Sequence, residues 1–181
     1  MLVFVNPRLC PNRRFDLKAA GSDAEFVALD LKIPSLGNCL CFHCYRSPSF
    51  SPKLIFFNQL SPALEKPSTC TWFIVGDFNA RHTQWDPGTT NTASTQMYKF
   101  LQDHALTQCI TSPTRYSTDG TSSSVLDLFI TNRPDLVDRH DISDSISDHC
   151  RISTILKTKP QDRAKTSFQI LNYHAADWNG L

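Results

Sequence analysis

Hydrophobic and polar positions alternate along much of this chain with the period of β-strands. Phe26, Ala28, Asp30 and Lys32 face one way and Val27, Leu29, Leu31 and Ile33 the other, the pattern of a half-buried strand. Cys39 to Tyr45 predicts a second strand, closed by Arg46-Ser47-Pro48. Trp72 to Phe78 is an almost continuous apolar run holding one glycine, as in a strand buried on both faces. Val125 to Ile130 and Ile152 to Leu156 predict two more, the last with Ile152, Thr154 and Leu156 on one face, and Met1 to Val5 reads as a strand that begins abruptly. Helical spacing occurs twice. Leu54, Phe57 and Leu60 predict a helix over Pro52 to Leu64 with Pro52 in its first turn; Met97, Phe100, Leu101 and Ala105 predict another over Thr95 to Leu106 with Ser94 as N-cap. Thr111 to Ser124, dense in Ser, Thr, Pro, Asp and Gly, predicts a loop. The mixed order of elements points to an α/β fold of two layered sheets rather than a strict βαβ alternation.

Composition narrows the picture. A chain of 181 residues with 40% hydrophobic and 19% charged positions suits one globular domain. The net charge of +1 means that a nucleic-acid partner has to be gripped by a local basic patch. Seven cysteines, an odd number in a chain that needs no staples, predict a reduced intracellular protein, nuclear or cytoplasmic, and not a secreted one. No apolar run approaches the ~20 residues of a membrane span, so no membrane partner is expected. From Lys157 to Thr166 the sequence turns polar and basic, which sets a domain over residues 1–157 and a linker over 158–181.

Four segments carry candidate chemistry. Ile74-Val75-Gly76-Asp77-Phe78-Asn79-Ala80-Arg81-His82 is a buried strand running into polar residues, and period-two alternation puts Asp77 and Asn79 on one side, where a carboxylate and a carboxamide can hold a hard cation, a water or a phosphate oxygen. The same residue types also begin turns. Ser147-Asp148-His149 sets a carboxylate beside an imidazole before the final strand. Leu126-Asp127-Leu128-Phe129-Ile130 buries one carboxylate in an apolar strand, a costly arrangement without a partner, and His149 is the best candidate for that partner. Cys44-Tyr45-Arg46-Ser47-Pro48 offers a phenol and a guanidinium to phosphate at a strand end. Cys39, Cys41 and His43 share a strand face, but without a second ligand pair they read as packing rather than as a zinc site.

Together these segments resemble the endonuclease/exonuclease/phosphatase family, and most closely the endonuclease domain of non-LTR retrotransposon polyproteins. Gly76-Asp77-Phe78-Asn79 is similar to the family's Gly-Asp-Phe-Asn motif, the Asp127 strand to its strand carrying the His-orienting Asp, Ser147-Asp148-His149 to its terminal Ser-Asp-His, and Tyr45-Arg46-Ser47-Pro48 to its Tyr-containing segment. The resemblance implies a deoxyribonuclease I-like α/β (α+β) fold, a four-layer two-sheet β-sandwich flanked by helices and incomplete at the N-terminus. It implies hydrolysis of a DNA phosphodiester with Mg²⁺ or Mn²⁺ and no small-molecule cofactor. Asp77, Asn79, Asp127, His149 and Tyr45 would be catalytic, Asp148 and Asp77 would face the metal, and Arg46, Asn79 and Arg81 would touch phosphate. The tail from Tyr173 to Leu181 resembles the linker that leads to a reverse-transcriptase domain, the expected partner in the parental polyprotein.

The pattern departs from the family in one respect. The family's early metal-directed Asn and Glu have no counterpart here, since Glu25 and Glu65, the only glutamates, match neither motif, and the metal site is expected to be weakened. Two functions from different classes therefore stand at the level of sequence: a metal-dependent endonuclease nicking DNA in retrotransposition, its activity expected to be impaired by truncation at the N-terminus, or a catalytically silent transposon-derived remnant serving at most as a binding module. Phosphatase action on a small substrate shares the same core residues and sits poorly with the linker-like tail. The domain boundary has a direct test. Limited proteolysis should cut between Lys157 and Lys165 before it cuts within residues 72–156, and a tail as protected as the strand around Asp77 would refute the boundary.

Overall fold

The computed structural model describes residues 1–17, 25–48, 57, 60, 61, 64, 70–88, 90–145 and 147–158. Most of the linker over 158–181 and much of the helix expected over Pro52 to Leu64 lie outside the described residues. Among the described residues ten strands and one complete helix follow in order: β1 (Asn12–Arg13), β2 (Glu25–Ile33), β3 (Gly37–Tyr45), β4 (Thr71–Asp77), α1 (Thr92–Asp103), β5 (Thr107–Gln108), β6 (Arg115–Tyr116), β7 (Ser123–Ser124), β8 (Asp127–Thr131), β9 (Val137–Ser145) and β10 (Cys150–Leu156). A six-stranded sheet has the order β1-β2-β3-β4-β8-β5, while β9–β10 and β6–β7 each pair separately.

The large sheet is mixed. β2 and β3 form an antiparallel hairpin, β3 and β4 run parallel, and β8 returns antiparallel beside β4. On one face Phe42, Ile74 and Ile130 are fully buried in the same core cluster as Phe57, Leu60 and the α1 residues Met97, Phe100 and Leu101. Phe57 bridges the helical layer, 4.3 Å from Phe100 and 6.1 Å from Phe78 between ring centroids. The opposite face carries Phe73 and Phe129, their rings 5.6 Å apart, and the β9–β10 pair covers it through His140, 5.4 Å from Phe129.

Several local expectations are revised. Met1 to Val5 forms no strand: Asn6 caps a 3-10 turn over Pro7–Leu9, and Leu2 and Phe4 are exposed. α1 begins three residues earlier than expected, because Asn91 and Ser94 form a capping box in which Ser94 N–H donates to Asn91 Oδ1 (2.8 Å) and Asn91 N–H to Ser94 Oγ (3.1 Å). The helix also stops at Asp103, and Ala105 adopts a positive φ of 51° before Leu106. Inside Thr111 to Ser124, β6 and β7 make a hairpin around Asp119-Gly120, where Gly120 has φ +69°. β9 is absent from the sequence reading. Its sequence is polar, and a register irregularity opposite Leu156 breaks the alternation, so that Val137 and Ile142, residues of opposite parity, both pack against the core.

Gly76 is demanded by the sheet itself. It pairs with Cys44 in the parallel ladder, adopts φ +142°, and a Cβ there would lie 1.8 Å from the Cys44 carbonyl oxygen. Gly76→Ala should therefore lower stability by about 3 kcal/mol through backbone strain and overpacking. Urea unfolding measures this directly, and a wild-type midpoint in the variant would contradict the close approach.

Candidate active site

The site grows from the end of the β4–β8 ladder. The register pairs Phe73 with Thr131, Val75 with Phe129 and Asp77 with Asp127, so the face beneath β9–β10 ends in two carboxylates directly opposite each other. Like charges opposed across a ladder destabilise it unless a partner intervenes. That partner is His149, delivered by the Ser147-Asp148-His149 turn just before β10. Its Nδ1 lies 2.8 Å from Asp127 Oδ2 and its Nε2 lies 4.0 Å from Asp77 Oδ2. The hydrogen bond to Asp127 fixes the ring and leaves Nε2 directed at Asp77.

Asp77 is half-buried, and its environment opposes ionisation. Burial pushes its carboxyl above the ordinary carboxylate value of 3.8, the Asn79 backbone N–H works against that shift, and the Asp127 charge adds to it. Asn79 is not part of the strand. β4 ends at Asp77, and Asn79 takes φ +46°, a left-handed conformation that asparagine tolerates better than most residues. Its N–H donates to Asp77 Oδ1 (3.0 Å), and its Nδ2 donates to Asp77 Oδ2 (3.1 Å) and to the Arg46 carbonyl (2.7 Å). Strand alternation is thus the wrong reason for the closeness of Asp77 and Asn79. A side-chain-stabilised turn brings them together, and it uses both amide hydrogens on the protein.

Asp148 stands apart. Its Oδ2 accepts from Arg115 Nε at 2.8 Å, and that hydrogen bond holds its carboxyl below the ordinary range. Tyr45 ends β3 in register with Asp77 and is 42% exposed. Arg46 is buried, with its backbone N–H on the Asp77 carbonyl (2.9 Å) and Nη1 on the Phe78 carbonyl (3.5 Å). Arg81 pairs loosely with buried Asp86 (3.7 Å) and follows Ala80, whose carbonyl accepts from Trp85 Nε1 (3.0 Å). His82 braces the same loop between Trp85 and Tyr98, at centroid distances of 5.0 and 4.5 Å.

Beside the carboxylates lies a cleft of about 420 Å³ lined by Arg46, Arg81, Arg115, Asn79, Asn91 and the first turn of α1. Three guanidinium groups and a helix N-terminus give this cleft the chemistry to pair with an anion. Sequence reasoning missed Arg115 and Asn91. The Asp119-Gly120 turn signal was available to place Arg115 on a hairpin instead of a loop.

Asp77, Asp127 and His149 offer ligand atoms within 4.8 Å of one another, the one such group of His, Cys, Asp or Glu among the described residues. Its chemistry fits a hard divalent cation anchored chiefly on Asp77, because Mg²⁺ is usually held by one or two carboxylates and completed by water and phosphate. Asp127 is already bonded to His149, and Asp148 to Arg115. All the cysteines are free, and none belongs to a candidate metal group among the described residues; burial pushes the Cys39 and Cys41 thiols up to about 11 and about 12.

A family model described as endonuclease-reverse transcriptase matches residues 39–153. Among solved structures, the endonuclease domain of TRAS1, a telomere-specific non-LTR retrotransposon, superposes with a TM-score of 0.68 at 17% identity, covering 83% of this chain and 69% of that one. An endonuclease/exonuclease/phosphatase family protein from Leptotrichia buccalis C-1013-b gives 0.52 at 13% identity, with 73% of this chain and 52% of that chain covered. No curated protein sequence matches. The fold is thus a deoxyribonuclease I-like α/β sandwich. Among the described residues no helix is long and apolar enough to cross a membrane.

The raised carboxyl of Asp77 has a consequence for stability. A folded-state pKa above the unfolded value stabilises the fold below about 3.8 and loses that contribution as pH rises through the folded value. Asn at position 77, in Asp77→Asn, does not titrate, and the altered contacts with Asn79 add an offset independent of pH. Urea unfolding of the metal-free proteins from pH 3 to 7 should show the wild type losing ground to the variant with rising pH. Movement the other way would mean that hydrogen bonds to the carboxylate outweigh its burial.

Proposed function

Because this chain belongs to the endonuclease-reverse transcriptase family, we propose that it is a divalent-metal-dependent phosphodiesterase of endonuclease type that nicks DNA. The observation that carries this reading is the meeting of Asp77, Asp127 and His149 from three separate segments beside an arginine-lined cleft.

A DNA strand lies with one phosphate in the cleft, held by Arg46, Arg81 and Arg115, and with the scissile phosphate beside Asp77 and His149. Asp77, at the strand end beside His149, orients the attacking water and takes its proton. Attack forms a new P–O bond in line with the leaving 3′ oxygen, whose bond to phosphorus breaks; the oxygen leaves with the bonding pair and takes a proton from solvent to become the 3′ hydroxyl. His149, locked by Asp127 through Nδ1, donates from Nε2 to the phosphoryl oxygens in its imidazolium form, and Tyr45 stands at the same strand end. Asn79 holds Asp77 in place through its two hydrogen bonds. Asp77 would hold Mg²⁺ or Mn²⁺, which would supply neutralisation of the charge that develops on the phosphoryl group. In its parental polyprotein the domain would act ahead of a reverse transcriptase, which extends the nicked 3′ end.

With Asp127 and Asp148 both engaged by other side chains, cation binding without DNA should be weak. Supercoiled plasmid is the substrate that tests the reading. Nicking should require Mg²⁺ or Mn²⁺, stop on chelation and fall by at least about a hundredfold in His149→Ala. A chain that binds plasmid but does not nick it with either metal would instead support a silent binding module. Nicking that survives His149→Ala would remove the site assignment.

A further inference from the structure

Thr114 has no role in the chemistry above, yet it touches both ends of the Asp127–His149 pair. It is fully buried, and its Oγ1 accepts two backbone hydrogen bonds, from Leu126 N–H and from Asp127 N–H, both at 3.1 Å. Its carbonyl accepts from Cys150 N–H at 2.7 Å, one residue beyond His149, and its N–H donates to the Ser124 carbonyl at 2.9 Å. The neighbouring Arg115 forms a backbone bridge with His149. We propose that Thr114 is a positioning residue for the proposed nuclease reaction: its hydroxyl sets where β8 begins and its carbonyl sets where β10 begins, so that one residue fixes the separation of Asp127 and His149.

A hydroxyl oxygen suits this task because it has two acceptor lone pairs, one for each N–H. Leu126 precedes the ladder, Asp127 opens it, and without Oγ1 their N–H groups would be left buried without an acceptor. The chain would then have to shift to find water or another carbonyl. A displacement of about 1 Å at a catalytic group is enough to cost about a hundredfold in rate.

This inference rests on the nuclease reading only for the rate effect, so the test reads the Asp127–His149 pair itself as well as activity. Thr114→Val removes the acceptor at nearly constant shape, Thr114→Ser keeps it, and Thr131→Val is the control. Thr131 is equally buried, and its hydroxyl accepts from Arg133 N–H (3.0 Å) at the far end of β8. In ¹H–¹⁵N spectra of the imidazoles, Thr114→Val should lose the shifted His149 Nδ1 signal of the hydrogen-bonded ring, while Thr114→Ser and Thr131→Val retain it. Plasmid nicking should fall about a hundredfold in Thr114→Val alone and recover in Thr114→Ser. An unchanged His149 signal in Thr114→Val, or the same loss in Thr131→Val, overturns the proposal. Should Thr114→Val not fold, Thr114→Ser decides: a wild-type His149 signal supports the hydroxyl's role, and a shifted one assigns the effect to the methyl group and overturns it. An inactive wild type with these spectral outcomes intact would remove the nuclease reading and leave the positioning role standing.

Discussion

Two carboxylates face each other across the β4–β8 ladder, and much of the surrounding architecture answers to that pairing. Asp77 and Asp127 cannot both stay charged and close without a group between them. The structure supplies an imidazole from a third segment, and this requires β10 to begin at one defined place beneath the large sheet. The β9–β10 pair, held through His140 against Phe129, therefore does more than cover a hydrophobic face. It carries His149 to the point where the two acidic strand ends meet.

The basic side of the site is organised by different forces. Arg46 is buried at the end of β3, anchored by backbone contacts to Asp77 and Phe78, while Arg81 sits on a loop stiffened by the Trp85–His82–Tyr98 stack. Arg115 extends from a hairpin and is restrained by Asp148. Three cations thus reach one cleft from three kinds of support: a strand end, a braced loop and a short hairpin. A chain with a net charge of only +1 gathers its positive groups locally in this way.

Much of this was legible in the sequence because long apolar runs translate directly into buried strands. β2, β3, β4 and the core of β8 carry such runs, and the pairing of Asp127 with His149 followed from the cost of a lone carboxylate in one of them. The polar elements were hidden. β9 lacks a clean alternation because a bulge exchanges its faces, and the β6–β7 hairpin is too short to show any period, so Thr114 and Arg115 were lost in a segment that reads as a loop. Asp148 shows a different limit. Adjacency to His149 implied a shared task, yet neighbouring residues in a turn point apart, and Arg115 claimed it. The N-cap was misplaced by three residues because Asn91 and Ser94 are both good caps and the reciprocal bonds between them are invisible to composition.

The motif around Asp77 also separates into two kinds of requirement. Gly76 is fixed by the Cys44 carbonyl pressed against it, and Phe78 by its place in the core, whereas Asp77 spends stability to be where it is. A descendant of this sequence that had lost its chemistry would still be held to the glycine and the phenylalanine for as long as it folded, and would be free to discard the acid. Across diverging copies, the glycine is a record of folding, and the aspartate beside it is the record of use.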